Sequence, residues 1–134
     1  MRFPIGIQNF RTLREDGYLY IDKTELIYKL VDTGCYYLLS RPRRFGKSLL
    51  VSTLEAYLQG KKEQFKGLAM ERLEKDWTAR PVFHLDLNVG KYESTQSLLD
   101  TLNEALTVWE QEYGAAEAER NVGLRFKGVV QRAY

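Results

Sequence analysis

Cysteine is almost missing from this chain. Cys35 stands alone among 134 residues, so no internal disulfide can form, which favours a reducing compartment. Histidine is equally scarce: His84 is the only one, which leaves no zinc-ligand cluster and no nucleophile–His–acid set, and a single His in an apolar run is usually a packed or solvated residue. No stretch of 18 apolar residues occurs, so nothing is expected to span a membrane. The start M-R-F-P-I-G lacks the apolar core of a signal peptide, and a cytoplasmic location is expected. Charge of one sign is missing too: 20 Lys and Arg against 18 Asp and Glu leave a net +2, too little to argue for nucleic acid by itself. What remains is an ordinary soluble composition, 44% hydrophobic and 28% charged, in a length that fits one domain or most of one.

The most informative stretch is Y-Y-L-L-S-R-P-R-R-F-G-K-S-L-L, residues 36–50. The apolar run 36–39 reads as a buried strand, and a basic loop then ends in Gly46-Lys47-Ser48, after which apolar residues recur at helical spacing. Strand, loop, Gly-Lys-Ser and helix in that order is the layout of a phosphate-binding P-loop. A glycine lets the backbone turn sharply beside a phosphate oxygen. The amides at the start of the following helix lack intrahelical partners and lie at its positive end. Lys47 would reach the β- and γ-phosphates, and Ser48 would offer its hydroxyl to Mg²⁺. The full pattern has a glycine at position 41, which here is Arg41, and Pro42 stiffens the turn. The alternative is a basic loop that merely caps a helix.

In chain order, residues 1–21 read as an N-terminal arm and 22–134 as an α/β core. The arm holds a helical turn at 10–15 stopped by Gly17 and an extended piece at 18–21; it would either cover a nucleotide base or simply cover a sheet edge. Asp22 opens a helix as N-cap with Glu25 completing a capping box, Leu26, Ile27, Leu30 and Val31 form its stripe, and Gly34 supplies a left-handed stop. The helix after the loop would bury Leu49, Leu50, Leu54, Tyr57 and Leu58 and end at Gly60. A short helix over 68–77 is broken by Arg80-Pro81, and 82–87 reads as a second strand. Ser94 or Thr95 caps a long helix with the stripe Leu98, Leu99, Leu102, Ala105, Leu106, Trp109 and Tyr113; 115–119 and 123–134 are weaker helices. Asp86, at the end of an apolar run, is a candidate Walker B carboxylate, opposed by the interrupting His84 and the lack of a following Glu.

The run R-P-R-R-F-G-K-S-L at 41–49 resembles the signature of the bacterial AAA-ATPase-like family, in which Arg rather than Gly at the first position is in pattern. Y-I-D-K-T-E-L-I at 20–27 is similar to that family's Y-V-D-K-T-x-x-I, and P-V-F-H-L-D at 81–86 to its P-V-I-x-L-D strand. The resemblance spans nearly the whole chain. It implies a partial P-loop NTPase fold, a parallel sheet with flanking helices, truncated before a Walker B strand that such proteins place beyond a helix like that at 123–134. It also implies that Arg43, Arg44, Phe45, Gly46, Lys47, Ser48 and Leu49 bind nucleotide, with Ser48 on the metal and ATP and Mg²⁺ as cofactors. A C-terminal PD-(D/E)XK nuclease-like domain often follows in the family.

Three functional readings result. The first is an ATP–Mg²⁺ binding module of an AAA-like ATPase which, without a visible catalytic Glu, binds nucleotide weakly in these 134 residues and does not turn it over. The second is a nucleic-acid-linked interaction module working with a nuclease-like partner domain. The third is a P-loop kinase or GTPase with Asp86 as metal carboxylate; the absence of N-K-x-D weighs against GTP.

Overall fold

The structure, a computed structural model, describes residues 2–34, 36–42, 46–87 and 93–134. Among these residues it is helical: α1 (Phe10–Glu15), α2 (Thr24–Thr33), α3 (Lys47–Leu58), a 3₁₀ turn (Lys62–Phe65), α4 (Ala69–Leu73), α5 (Thr95–Tyr113) and α6 (Val122–Ala133). The chain divides into two compact units, Met1–Val82 and Phe83–Tyr134.

The expected α/β architecture with a parallel sheet is overturned. No strand forms among the described residues, and the only β-type pairing is an isolated parallel bridge between Arg2 and Tyr18. The apolar run at 36–39 has no regular secondary structure, and it is exposed rather than buried: Tyr36 and Leu38 are each 96% accessible. Residues 82–87 likewise form no strand. A helix satisfies its own backbone within one segment, whereas a strand depends on a neighbour for its hydrogen bonds and side-chain pairs. Neither apolar run has such a neighbour among the described residues.

The first unit is built around a polar hinge and an aromatic core. Asp22 Oδ1 accepts from the Thr24 amide at 3.0 Å and from the Thr24 hydroxyl at 2.6 Å. Its Oδ2 accepts from the Ala69 amide at 2.7 Å, and the fully buried Thr24 Oγ1 accepts from the Met70 amide at 3.0 Å. One carboxylate and one hydroxyl therefore satisfy orphan amides at the starts of both α2 and α4. Glu25 does not close a capping box but pairs with Lys29 one turn on, at 3.1 Å, and Gly34 is extended (φ −159°) rather than left-handed. Beneath this hinge Phe10, Ile27, Ala56, Phe65, Leu68 and Met70 form the core, with Leu49, Leu50, Leu54 and Tyr57 of α3 packed against it. The Phe10 and Phe65 rings lie 4.8 Å apart and Phe65 and Trp77 5.3 Å apart, a spacing typical of favourable aromatic pairs. Arg14 ties α1 to the turn after α3 by donating to the carbonyls of Gln64 (2.8 Å) and Lys66 (2.5 Å).

The second unit is an α5–α6 pair. Ser94 and Asn121 cap the two helices through their side-chain oxygens, to Ser97 N (3.3 Å) and Leu124 N (2.8 Å). Residues 115–119, expected to be helical, form a turn that leads to the Asn121 cap. Leu106 and Val129 are buried, and Phe83 packs its ring near Trp109 (5.1 Å) and Tyr113 (5.6 Å). Arg125 of α6 grips α5: it donates to both Glu110 oxygens (2.8 and 3.0 Å) and to Asn103 Oδ1 (2.7 Å). Glu119 folds across α6 to accept from Arg132 (2.8 Å) in the space left by Gly128, where a Cβ would stand 1.4 Å from Glu119 Oε2.

These contacts set the stability of each unit. Partial desolvation pushes the Asp22 carboxyl up, but the hydrogen bonds from Thr24 and Ala69 and the nearby Arg14 charge together hold it below its ordinary value. Stability from this depressed group is complete above the ordinary carboxylate pKa and is lost as pH falls through the lower folded value. Asp22→Asn is therefore expected to cost about 1 kcal/mol at neutral pH and to soften acid unfolding, and Thr24→Val, which strands the Met70 amide, about 1–3 kcal/mol, both read by urea titration. In the second unit, Gly128→Ala is expected to lower Tm by evicting Glu119, whereas Gly123→Ala, whose Cβ meets only Asn121 Oδ1 at 3.5 Å, is expected to hold or raise it.

Candidate functional site: the start of helix α3

The candidate phosphate loop meets α3 at its N-cap. Gly46 is that cap and is left-handed (φ 77°, ψ 17°), a conformation that costs residues with a Cβ roughly 1–2 kcal/mol. Space is not the reason for glycine, because a Cβ there would meet nothing within 4 Å. No side chain caps the helix, and its first backbone bond runs from the Leu50 amide to the Gly46 carbonyl at 2.9 Å. The amides preceding Leu50 thus lack α-helical partners at the positive end of a twelve-residue helix.

Lys47 and Ser48 follow as the first two helical residues, both exposed. Lys47 Nζ donates to the Arg41 carbonyl at 2.9 Å, across the base of the loop. Position 41, where the common pattern has glycine, therefore contributes a backbone acceptor to this lysine, a role that its side-chain identity does not reveal. Leu49 is half-buried; it turns inward to the core, and its carbonyl accepts from the Ser52 (3.0 Å) and Thr53 (2.7 Å) hydroxyls. Arg43, Arg44 and Phe45, the remaining expected nucleotide contacts, lie outside the described residues.

Asp86 and His84, considered for metal or acid–base work, sit in the second unit on a segment without strand structure. Among the described residues no three His, Cys, Asp or Glu side chains converge as a metal site. No helix among the described residues is long and apolar enough to cross a membrane. Asp22 and Thr24, part of the D-K-T run, do structural work in joining α2 to α4. The signal for that second partner was not local, since Ala69 lies 47 residues away.

Comparison with known proteins gives three findings. The sequence model of the family described as Predicted AAA-ATPase matches residues 4–134. A curated relative from Azotobacter chroococcum mcd 1, described as an uncharacterized protein in the vnfD 5' region, is 39% identical over 135 residues, covering 99% of this chain and 26% of the relative. The chain thus spans about a quarter of that relative's length. No solved structure matches.

The left-handed cap makes a direct prediction. Gly46→Ala is expected to destabilise the first unit by about 1–2 kcal/mol, and Gly46→Asn by less, because Asn tolerates this region. Urea midpoints at unchanged m-value check both.

Proposed function

The chain belongs to the predicted AAA-ATPase family, and from that premise we propose that loop 41–49 binds the triphosphate of ATP together with Mg²⁺. The observation that carries the reading is the start of α3: a left-handed Gly46, the Lys47 amine and the Ser48 hydroxyl in consecutive positions, at a helix end that no side chain caps. Phosphate oxygens are acceptors, and this end of the helix presents donors. The Lys47 ammonium rests on a neutral carbonyl at 2.9 Å, and a charged phosphate oxygen is the stronger acceptor, so exchange of one for the other is favourable. Arg43 and Arg44 add positive charge next to it in sequence, Phe45 and Leu49 flank the triad, and Ser48 supplies the protein's own ligand to the metal.

Binding without turnover is the expectation for these 134 residues. Hydrolysis requires a group that orients water and a carboxylate that helps hold the metal, and no apolar run ending in Asp-Glu occurs in the sequence. For the whole protein, the ATPase activity, a nuclease-like partner domain and any contact with nucleic acid belong to this proposal too; their support is the resemblance of 41–49, 20–27 and 81–86 to the family's motifs.

Isothermal titration of ATP with and without Mg²⁺ tests the reading. The expected result is Mg²⁺-dependent binding at one site per chain, weakened at least tenfold in Lys47→Ala, with no phosphate release by the 134-residue chain. Affinity for DNA that falls steeply with salt and ignores ATP would instead favour the nucleic-acid reading.

A further inference from the structure

A triphosphate is common to every nucleoside triphosphate, so contacts to it position a nucleotide without choosing its base. The geometry of α3 narrows where the base is read. Val51 and Ser52 lie three and four residues beyond Ser48 on one helical face, with Ser52 roughly 6 Å further along the axis. A triphosphate held at Lys47 and Ser48 brings its nucleoside within reach of this face.

The N-terminal arm meets α3 there. Ser52 Oγ accepts from the Phe10 amide at 3.0 Å and lies 3.5 Å from the Gln8 carbonyl oxygen, so residues 8–10 are seated on the helix one turn beyond Ser48. Phe10 and Leu13 anchor the arm in the interior, whereas Gln8 is exposed. Two apolar side chains on the arm and on the helix are left to solvent: Ile5 is 91% exposed and Val51 41%. No strand forms among the described residues, so the arm covers no sheet edge in them. A flat heterocycle needs apolar surface for its faces and a few polar groups for its rim. The carboxamide of a glutamine offers a donor and an acceptor side by side, which matches the N6 amino group and N7 of adenine. Guanine presents two acceptors on the same edge.

We propose that the N-terminal arm reads the base of the nucleotide, with Gln8 as the residue that selects adenine and Ile5 and Val51 as apolar ledges for the ring. This role rests on the ATP reading of loop 41–49 and adds the residue that chooses the base.

Isothermal titration of the 134-residue chain with ATP, GTP and inorganic tripolyphosphate, each with Mg²⁺, is the test. ATP should bind most tightly. Gln8→Ala should weaken ATP about tenfold, remove the preference over GTP and leave tripolyphosphate unchanged. Gln8→Glu, equal in size but with acceptors only, should weaken ATP in the same way. Lys47→Ala should weaken all three ligands. Gln8 is exposed, so neither of its replacements disturbs the core. Tripolyphosphate bound as tightly as ATP, an unchanged ratio of ATP to GTP affinity in the Gln8 variants, or an equal loss of tripolyphosphate binding in them would overturn the assignment to Gln8 while the phosphate site stands. Binding of none of the three ligands would overturn both.

Discussion

The first unit depends on a single carboxylate shared between two helices. Asp22 gives one oxygen to Thr24 and the other to Ala69, and Thr24, held by that carboxylate, receives the Met70 amide in turn. Helix α4 has only five residues, too short to persist by its own hydrogen bonding. Its position is set by this joint and by Met70, which is wholly buried in the core beside Phe10 and Phe65. A motif that resembles a family signature is here explained first by architecture: the Asp and Thr of D-K-T bridge segments 47 residues apart.

Helix α3 carries two roles on one rod. Its first turn presents Gly46, Lys47 and Ser48, and Leu49, Leu50, Leu54 and Tyr57 pack on the core. The far end is fastened as well. Arg80 N donates to the Leu58 carbonyl at 2.8 Å, and the left-handed Gly60 (φ 72°) sits where a Cβ would lie 2.8 Å from the Trp77 carbonyl. Tyr57 adds a hydrogen bond to Glu74 on the same strap; burial, then the bond to that carboxylate, pushes the phenol well above its ordinary value. With its last turn clamped and its middle embedded, α3 presents its N-terminus from a firm base.

What was legible in the sequence was local. Ser94 as a cap, Gly17 after a short first helix, and the apolar stripes of α3 and α5 all depend on residues within a turn or two of one another, and the helices appear where those signals stand. The strands at 36–39 and 82–87 were misread because an apolar run shows that a segment could be buried between neighbours, not that neighbours exist. The same limit applies to the site. Gly46-Lys47-Ser48 stands at a helix start as its spacing implies, while the Arg41 carbonyl that receives Lys47 emerges only once the chain is folded.

The open run at 36–39 has a consequence for handling and for mutagenesis. Two tyrosines and two leucines in a row, exposed and without proline or charge, make an apolar patch that favours stacking between separate molecules. Immediately downstream come Arg41, Arg43 and Arg44, whose mutual repulsion between molecules opposes such stacking. By their charge these arginines fit the role of gatekeepers, so stripping it alters colloidal behaviour along with the chemistry of the loop.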